Sequence, residues 1–180
     1  MGTPTAPKPV KIFIALLASD EKLVAPAESC LEENFGPIDS AGPVLPWEMT
    51  DYYGPEMGKG LCRRFVSFGP LSGPERLPEI KLRAQEIEEE YAEGAGGTRR
   101  RRVNIDPGYL DAGKVVLAST KSAPHRLYLG SGIYGEITLV FQNGSFRSFA
   151  HTYQDYLWPE TSSFFAALRS IYLAQLRDVA

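Results

Sequence analysis

Apolar and polar positions fall along the chain in blocks that read as successive elements. Residues 11–18 (KIFIALLA) form a short apolar run closed by Ser19 and Asp20, the length and flank of a buried strand. Ser19 or Asp20 can then cap a helix in which Leu23, Ala27, Cys30, Leu31 and Phe35 recur at helical spacing, and Gly36 with Pro37 stops it. Pro26 sits late for a first-turn proline and is expected to delay or bend that helix. Residues 37–46 read as a turn-rich connector. Two strand-like runs follow at 47–53 and 61–68, the second with the alternation of a half-buried strand. Ser72 and Glu75 match a capping box ahead of Leu77, Ile80, Ala84, Ile87 and Tyr91, one apolar stripe at helical spacing. Its opposite face is acidic and ends in Glu88, Glu89 and Glu90, which read as solvated.

After a glycine-rich loop at 94–97, residues 102–106 read as a strand ended by a turn at Asp106, Pro107 and Gly108. Residues 112–119 suit a short helix capped by Asp111, although Gly113 weakens it and VVLAS would also make a strand. Residues 126–129 and 133–142 read as strands, and Asn143-Gly144 is a hairpin signal leading into 145–150. Pro159, Glu160 and Thr161 open a terminal helix with Phe164, Phe165, Leu168, Ile171, Tyr172 and Leu176 as its stripe. The order strand, helix, strand, strand, helix, strand is that of an α+β ferredoxin-like (split βαβ) sandwich, here with a C-terminal β-hairpin extension and a terminal helix. Residues 1–9, with three prolines, are expected to form a flexible tail ahead of a single α+β domain at 10–180.

Composition narrows the function classes. A chain of 180 residues can bury roughly 70 % of its unfolded surface without staples. A net charge of −3 argues against a dedicated duplex-DNA binder. Cys30 and Cys62 read as two buried free thiols, with no Cys-x-x-Cys motif. No apolar run is long enough for a membrane helix and residues 1–10 have no signal-type apolar core, so the expectation is a cytoplasmic protein with no membrane partner. Phosphate-loop, dinucleotide and nucleophile-elbow motifs are absent.

Candidate chemistry concentrates between 103 and 141. Lys121, His125 and Arg126 are three donors near a turn, a set suited to an anion: arginine grips phosphate or carboxylate bidentately and lysine adds a point charge. His125 can act as acid or base near neutral pH, with Asp106 orienting it or holding a metal. Glu136, inside an apolar strand, must face solvent or be paired. The plain alternative is that His125 bonds locally and Arg126 pairs with Asp106 or Glu136. Two histidines and no tight ligand motif leave a metal unexpected. The candidate set is therefore His125 and Asp106 as catalytic residues, with Lys121, Arg126, Glu136 and Tyr109 as ligand-binding residues and no cofactor assigned. The expected function is binding of a small anionic ligand, a nucleotide or phosphorylated metabolite, with hydrolase or transferase activity as the default chemistry. The alternative is a protein- or RNA-interaction module without catalysis, using the basic run at 99–102; the aromatic-glycine pattern of an RNA-recognition motif is missing.

The strings PVKIFIALLASD, TDYYGPEMG, RRVNIDPGYLDAGKVVLASTK, PHRLYLGSGIYGEITL and TYQDY resemble, over nearly the whole chain, an uncharacterised bacterial family, domain-of-unknown-function family forty-four sixteen. The resemblance carries no activity with it. It implies family-typical residues at Asp51, Tyr52, Lys81, Asn104, Asp106, Pro107, Gly108, Tyr109, Lys121, His125, Arg126, Gly130, Tyr134, Glu136, Tyr153 and Asp155. His151 stands where members more often carry tryptophan, and the four-arginine run is longer than usual, which favours a surface feature of this chain alone.

Overall fold

Nine consecutive buried residues, Val10–Ala18, form the strand β1 at the centre of the molecule. The computed structural model describes residues 2–49, 53–94 and 99–179, and the expectations that fall on Asp51, Tyr52 and residues 95–98 lie outside them. From β1 the chain continues through α1 (Val24–Phe35), β2 (Ile38–Ala41), β3 (Leu45–Trp47), α2 (Gly54–Met57), β4 (Leu61–Ser72), α3 (Leu77–Glu90), β5 (Val103–Leu110), β6 (Lys114–Ser119), β7 (Leu127–Gly130), β8 (Ile133–Gln142), β9 (Ser145–Ser148) and α4 (Pro159–Val179). Among the described residues the strands form one antiparallel sheet in the order β2-β4-β1-β5-β6-β8-β7, with β3 beside β4 and β9 beside β8. The architecture is a mixed α+β fold with a large antiparallel sheet and four helices.

The two-residue period of β1 sorts its side chains between two cores. Ile12, Ile14 and Leu16 pack with Val24, Ala27 and Leu31 of α1 and with Ile80, Ala84 and Ile87 of α3. Phe13 and Ala15 face the other way, against Phe164, Phe165, Leu168 and Tyr172 of α4. The rings of Phe13 and Phe165 meet edge to face at 5.0 Å. A strand covered on both faces has no solvent side, which is why residues 12–18 are an unbroken apolar run rather than an alternation. The terminal helix thus adds a third layer to what the element order suggested was a two-layer sandwich. Lys11, fully buried, anchors that layer through Asp39, Gln175 Oε1 at 2.9 Å and the Gly69 carbonyl at 3.3 Å.

Several sequence expectations are corrected. Asp106, Pro107 and Gly108 are not a turn but lie inside β5, paired along its whole length with β1. The helix expected at 112–119 is the strand β6, and Asp111 instead accepts from the Gly113 and Lys114 amides to make the β5–β6 turn. The connector at 37–46 contains β2 and the start of β3, which ends at Trp47, and the short α2 begins at Gly54. Ser72 caps no helix: it ends β4, its hydroxyl donates to the Gly73 carbonyl, and a 3-10 turn at Pro74–Arg76 leads into α3. A similar turn at Glu21–Leu23, capped by Asp20, places Pro26 in the first turn of α1. Cys62 is buried but Cys30 is only partly so.

Gly108 is a clearance residue. A Cβ there would stand 2.4 Å from both Phe13 Cζ and the Val116 carbonyl oxygen. Gly108→Ala is expected to destabilise by about 1–3 kcal/mol through overpacking, a fall in melting temperature of roughly 2–12 °C for a chain of this size. Thermal unfolding checks this, and an unchanged midpoint would refute the clearance role.

Candidate functional site

The site is built on a break in the sheet. β5 pairs with β6 only at Gly108, Tyr109 and Leu110, opposite Leu117, Val116 and Val115. From Val103 to Pro107 it has no β6 partner, although β1 flanks it throughout. Pro107, which has no N–H to donate, stands where the ladder stops. The backbone groups of Ile105 that face the gap are taken up by side chains of α3. Lys81 Nζ donates to the Ile105 carbonyl at 2.8 Å, and Glu88 Oε1 accepts from the Ile105 amide at 2.6 Å. The two residues lie about two helical turns apart on one face. The rest of the gap opens as a cleft of about 500 Å³.

Charge is concentrated on its walls. Lys81 Nζ also donates to Asp106 Oδ1 at 3.0 Å and lies 3.9 Å from Glu88. Asn104 Nδ2 donates to Asp106 Oδ2 at 2.6 Å and its Oδ1 accepts from Arg101, which grips Glu56 through two contacts of 2.6 Å. Arg63 Nε lies 2.8 Å from Asp155 Oδ2, with both side chains buried. Burial raises the Asp106 pKa, but Lys81, Arg63 and the bonds from Lys81 and Asn104 outweigh it, so the carboxyl titrates below its ordinary value. Burial dominates for Glu88, whose pKa is raised despite Lys81, and for the Tyr53 and Tyr156 hydroxyls, also raised. Five cationic side chains (Arg63, Lys81, Arg101, Lys121, Arg126) line the cleft against three carboxylates (Glu88, Asp106, Asp155). Trp47, Tyr53, Tyr153 and Tyr156 supply aromatic surface.

The sequence-derived residues divide into three groups. Asp106, Lys121 and Arg126 line the cleft. Glu136 and His125 stand behind Arg126: Glu136 Oε2 accepts from Arg126 Nε at 2.7 Å and lies 3.1 Å from His125 Nε2. The His125 ring stacks on His151 at 4.3 Å, and no hydrogen bond joins it to Asp106. Tyr109 is half-buried on the other face of β5, packed beside Leu77, Val116 and Ile133.

Arg63, Glu88 and Arg101 escaped sequence reading as individual residues. Glu88 corrects the expectation of a solvated glutamate, being only 5 % exposed. A signal existed: Lys81 and Glu88 each stand four residues after a stripe position, Leu77 and Ala84, where a helix buries its side chains. Three arginines of the basic run are engaged within the chain, Arg99 by Glu89, Arg101 by Glu56 and Glu88, and Arg102 by Glu93.

No helix among the described residues is long and apolar enough to cross a membrane. Comparison with curated proteins and with solved structures finds no match. A family model described as Domain of unknown function (DUF4416) matches residues 8–172, and the chain belongs to that family.

Proposed function

We propose that the cleft between β5 and β6 binds a small anionic ligand, a nucleotide or phosphorylated metabolite. The observation that carries the reading is the convergence of five cationic side chains, two of them (Arg101 and Arg126) held by Glu56 and Glu136 outside the lining, on a break in the central ladder. Strand edges that open into a cleft gather convergent polar groups around an apolar lining, the usual composition of a ligand site. Lys121 and Arg126 would meet the anion at the rim, while Lys81 and Arg63, held by Asp106 and Asp155, shape the floor. Of the positions marked by the family resemblance, Lys81, Asn104, Asp106, Lys121, Arg126, Tyr153 and Asp155 all line this cleft. A hydrolase or transferase step is less favoured than binding alone, because His125, held by Glu136, stands behind Arg126 and is not among the residues that line the cleft.

On the same footing, the first half of the chain is proposed as a ferredoxin-like unit within a single domain at 10–180. Support comes from the antiparallel order β2-β4-β1-β5 and from α1 and α3 packing on one face. The RNA-binding alternative is less favoured, because three of the four arginines at 99–102 are engaged by the chain's own glutamates.

A thermal-shift panel of nucleotides, phosphorylated sugars, dicarboxylates and short RNA tests the reading, run on wild type and on Lys121→Ala. A ligand at about a hundred times its dissociation constant stabilises by about 2.7 kcal/mol, a rise of roughly 5–11 °C. The expected result is a phosphate-bearing hit weakened in Lys121→Ala. A flat panel, or a response to RNA alone that Lys121→Ala leaves unchanged, would overturn it.

A further inference from the structure

The cleft has two chemically different ends. Its lining crosses one face of neighbouring strands, from Trp47 on β3 through Arg63 on β4, Ala15 on β1 and Asp106 on β5 to Ser119 at the end of β6. Four inter-strand steps of about 4.8 Å separate the first from the last, a span of roughly 19 Å. Lys121 and Arg126 follow directly on the β6 end. Elsewhere each lining carboxylate is matched by a cation: Asp155 lies 2.8 Å from Arg63, Asp106 3.0 Å from Lys81 and Glu88 3.4 Å from Arg101. A second anion would meet no unmatched charge there. The β3 end is instead aromatic, with the Trp47 and Tyr53 rings 5.4 Å apart. Trp47 and Tyr156 each carry a buried polar atom with no hydrogen-bond partner in the protein, the indole Nε1 and the phenol hydroxyl. The Arg63 guanidinium lies 5.9 Å from the Trp47 ring, and the Tyr156 hydroxyl is within electrostatic reach of Arg63, Asp155 and Asp106. An indole N–H can only donate. What it lacks is an acceptor, and a buried donor without one is costly.

We propose that the ligand is a nucleoside monophosphate whose base carries a ring carbonyl, with its phosphate at Lys121 and Arg126 and the carbonyl oxygen accepting from Trp47 Nε1. The inference rests on the anion site proposed above and names its ligand. Long side chains at the two ends narrow the span between them, but not to the size of a free phosphate. A nucleotide meets both ends because its ribose holds a charged group apart from a flat, uncharged one. The base packs on the aromatic surface of Trp47, Tyr53 and Tyr156, as planar rings do. The cleft, about 500 Å³, is of the size of small-molecule sites, about 300–1,000 Å³. The orphaned indole also selects among bases. An amino group in place of the carbonyl sets donor against donor, so the cleft rejects it by leaving both unpaired.

Isothermal titration calorimetry of the full chain tests it with two matched pairs, uridine against cytidine monophosphate and inosine against adenosine monophosphate, beside ribose 5-phosphate. Within each pair a ring carbonyl stands where the other member has an amino group. The carbonyl member of one pair or both is expected to bind about tenfold more tightly than its amino counterpart, the scale of one buried donor losing its acceptor, and more tightly than ribose 5-phosphate. Trp47→Phe is expected to abolish the preference within the pair, a ratio from which any general loosening of the fold cancels. Tyr156→Phe keeps the ring and loses only the unpartnered hydroxyl; there the nucleotide is expected to weaken and ribose 5-phosphate to bind as before. Equal binding within both pairs overturns the proposal, as does a preference unchanged in both variants. Ribose 5-phosphate binding as tightly as the nucleotides overturns it while the anion site stands. If no phosphate-bearing compound binds at all, the anion site itself fails and this inference with it.

Discussion

Replacing Lys81 by methionine is expected to remove about 3–5 kcal/mol of stability at neutral pH, the cost of leaving buried charge unpaired. Lys81 is 5 % exposed and its ammonium serves the Ile105 carbonyl, Asp106 and, at longer range, Glu88. Methionine keeps the length of the stem but abandons two carboxylates and a strand carbonyl at once. The melting temperature should fall by roughly 6–20 °C, with the urea midpoint lowered in parallel.

The pH dependence of that loss identifies its cause. Asp106 titrates below its ordinary value in the folded protein, so its contribution is present above about pH 4 and is lost as the pH falls through the depressed folded value. Glu88 behaves oppositely. Its folded pKa is raised, so it costs stability progressively as the pH rises from about 4.5 towards that raised value. Lys81 holds both values down, and without it both carboxyls titrate higher. The deficit of Lys81→Met should therefore be largest at neutral pH and shrink below about pH 4, as the pH falls through the depressed value of Asp106 and both carboxyls become protonated in either protein. Lys81→Met combined with Asp106→Asn should recover part of the loss, since one abandoned charge is then gone. A deficit under about 1 kcal/mol with no pH dependence would mean the lysine is solvated like a surface ion pair.

The elements that were legible in the sequence are those whose burial follows a simple period. β1 reads as a strand because both its faces are covered, and α1, α3 and α4 read as helices because each buries one stripe. The Asn143-Gly144 hairpin was legible because a type of turn demands those residues, and Asn143 does adopt a positive φ. Asp106, Pro107 and Gly108 misled for a tertiary reason. Local turn chemistry was overridden by eight residues of pairing with β1; the proline is tolerated because it faces the gap, and the glycine answers to Phe13 rather than to a turn. β6 was ambiguous because Gly113 and Ala112 belong to the preceding turn, leaving a six-residue strand too short to show a period. The cleft itself was only partly legible. Asp106, Lys121 and Arg126 lie in the stretch whose charges stood out against apolar neighbours, but Arg63 meets Asp155 and Lys81 meets Asp106 across separate elements. No spacing rule links such partners.

Arg126→Ala is expected to be comparably damaging, by about 3–5 kcal/mol, and to divide structural from ligand-binding roles in the cleft wall. The guanidinium ties four parts of the chain together: Nε to Glu136 of β8, Nη1 to the Ser119 hydroxyl and the Lys121 carbonyl at 2.8 Å each, and Nη2 to the Tyr153 hydroxyl at 3.0 Å. Glu136 is wholly buried at its side chain, and its Oε1 has no hydrogen-bond partner in the protein. Without Arg126 that carboxylate keeps only His125. Alanine should therefore lower the melting temperature by roughly 6–20 °C, while Arg126→Ala with Glu136→Gln should recover much of it by removing the stranded charge. Denaturant unfolding of the two single variants and the double variant measures the coupling directly. Additive losses would show that the pair is not coupled and would place the stabilisation in the Ser119, Lys121 and Tyr153 contacts instead. The double variant then serves the functional question, because it restores the fold while leaving the cleft one cation short. Ligand-induced stabilisation lost in that background belongs to the charge of Arg126, and stabilisation retained there assigns the anion to Lys121, Lys81 and Arg63.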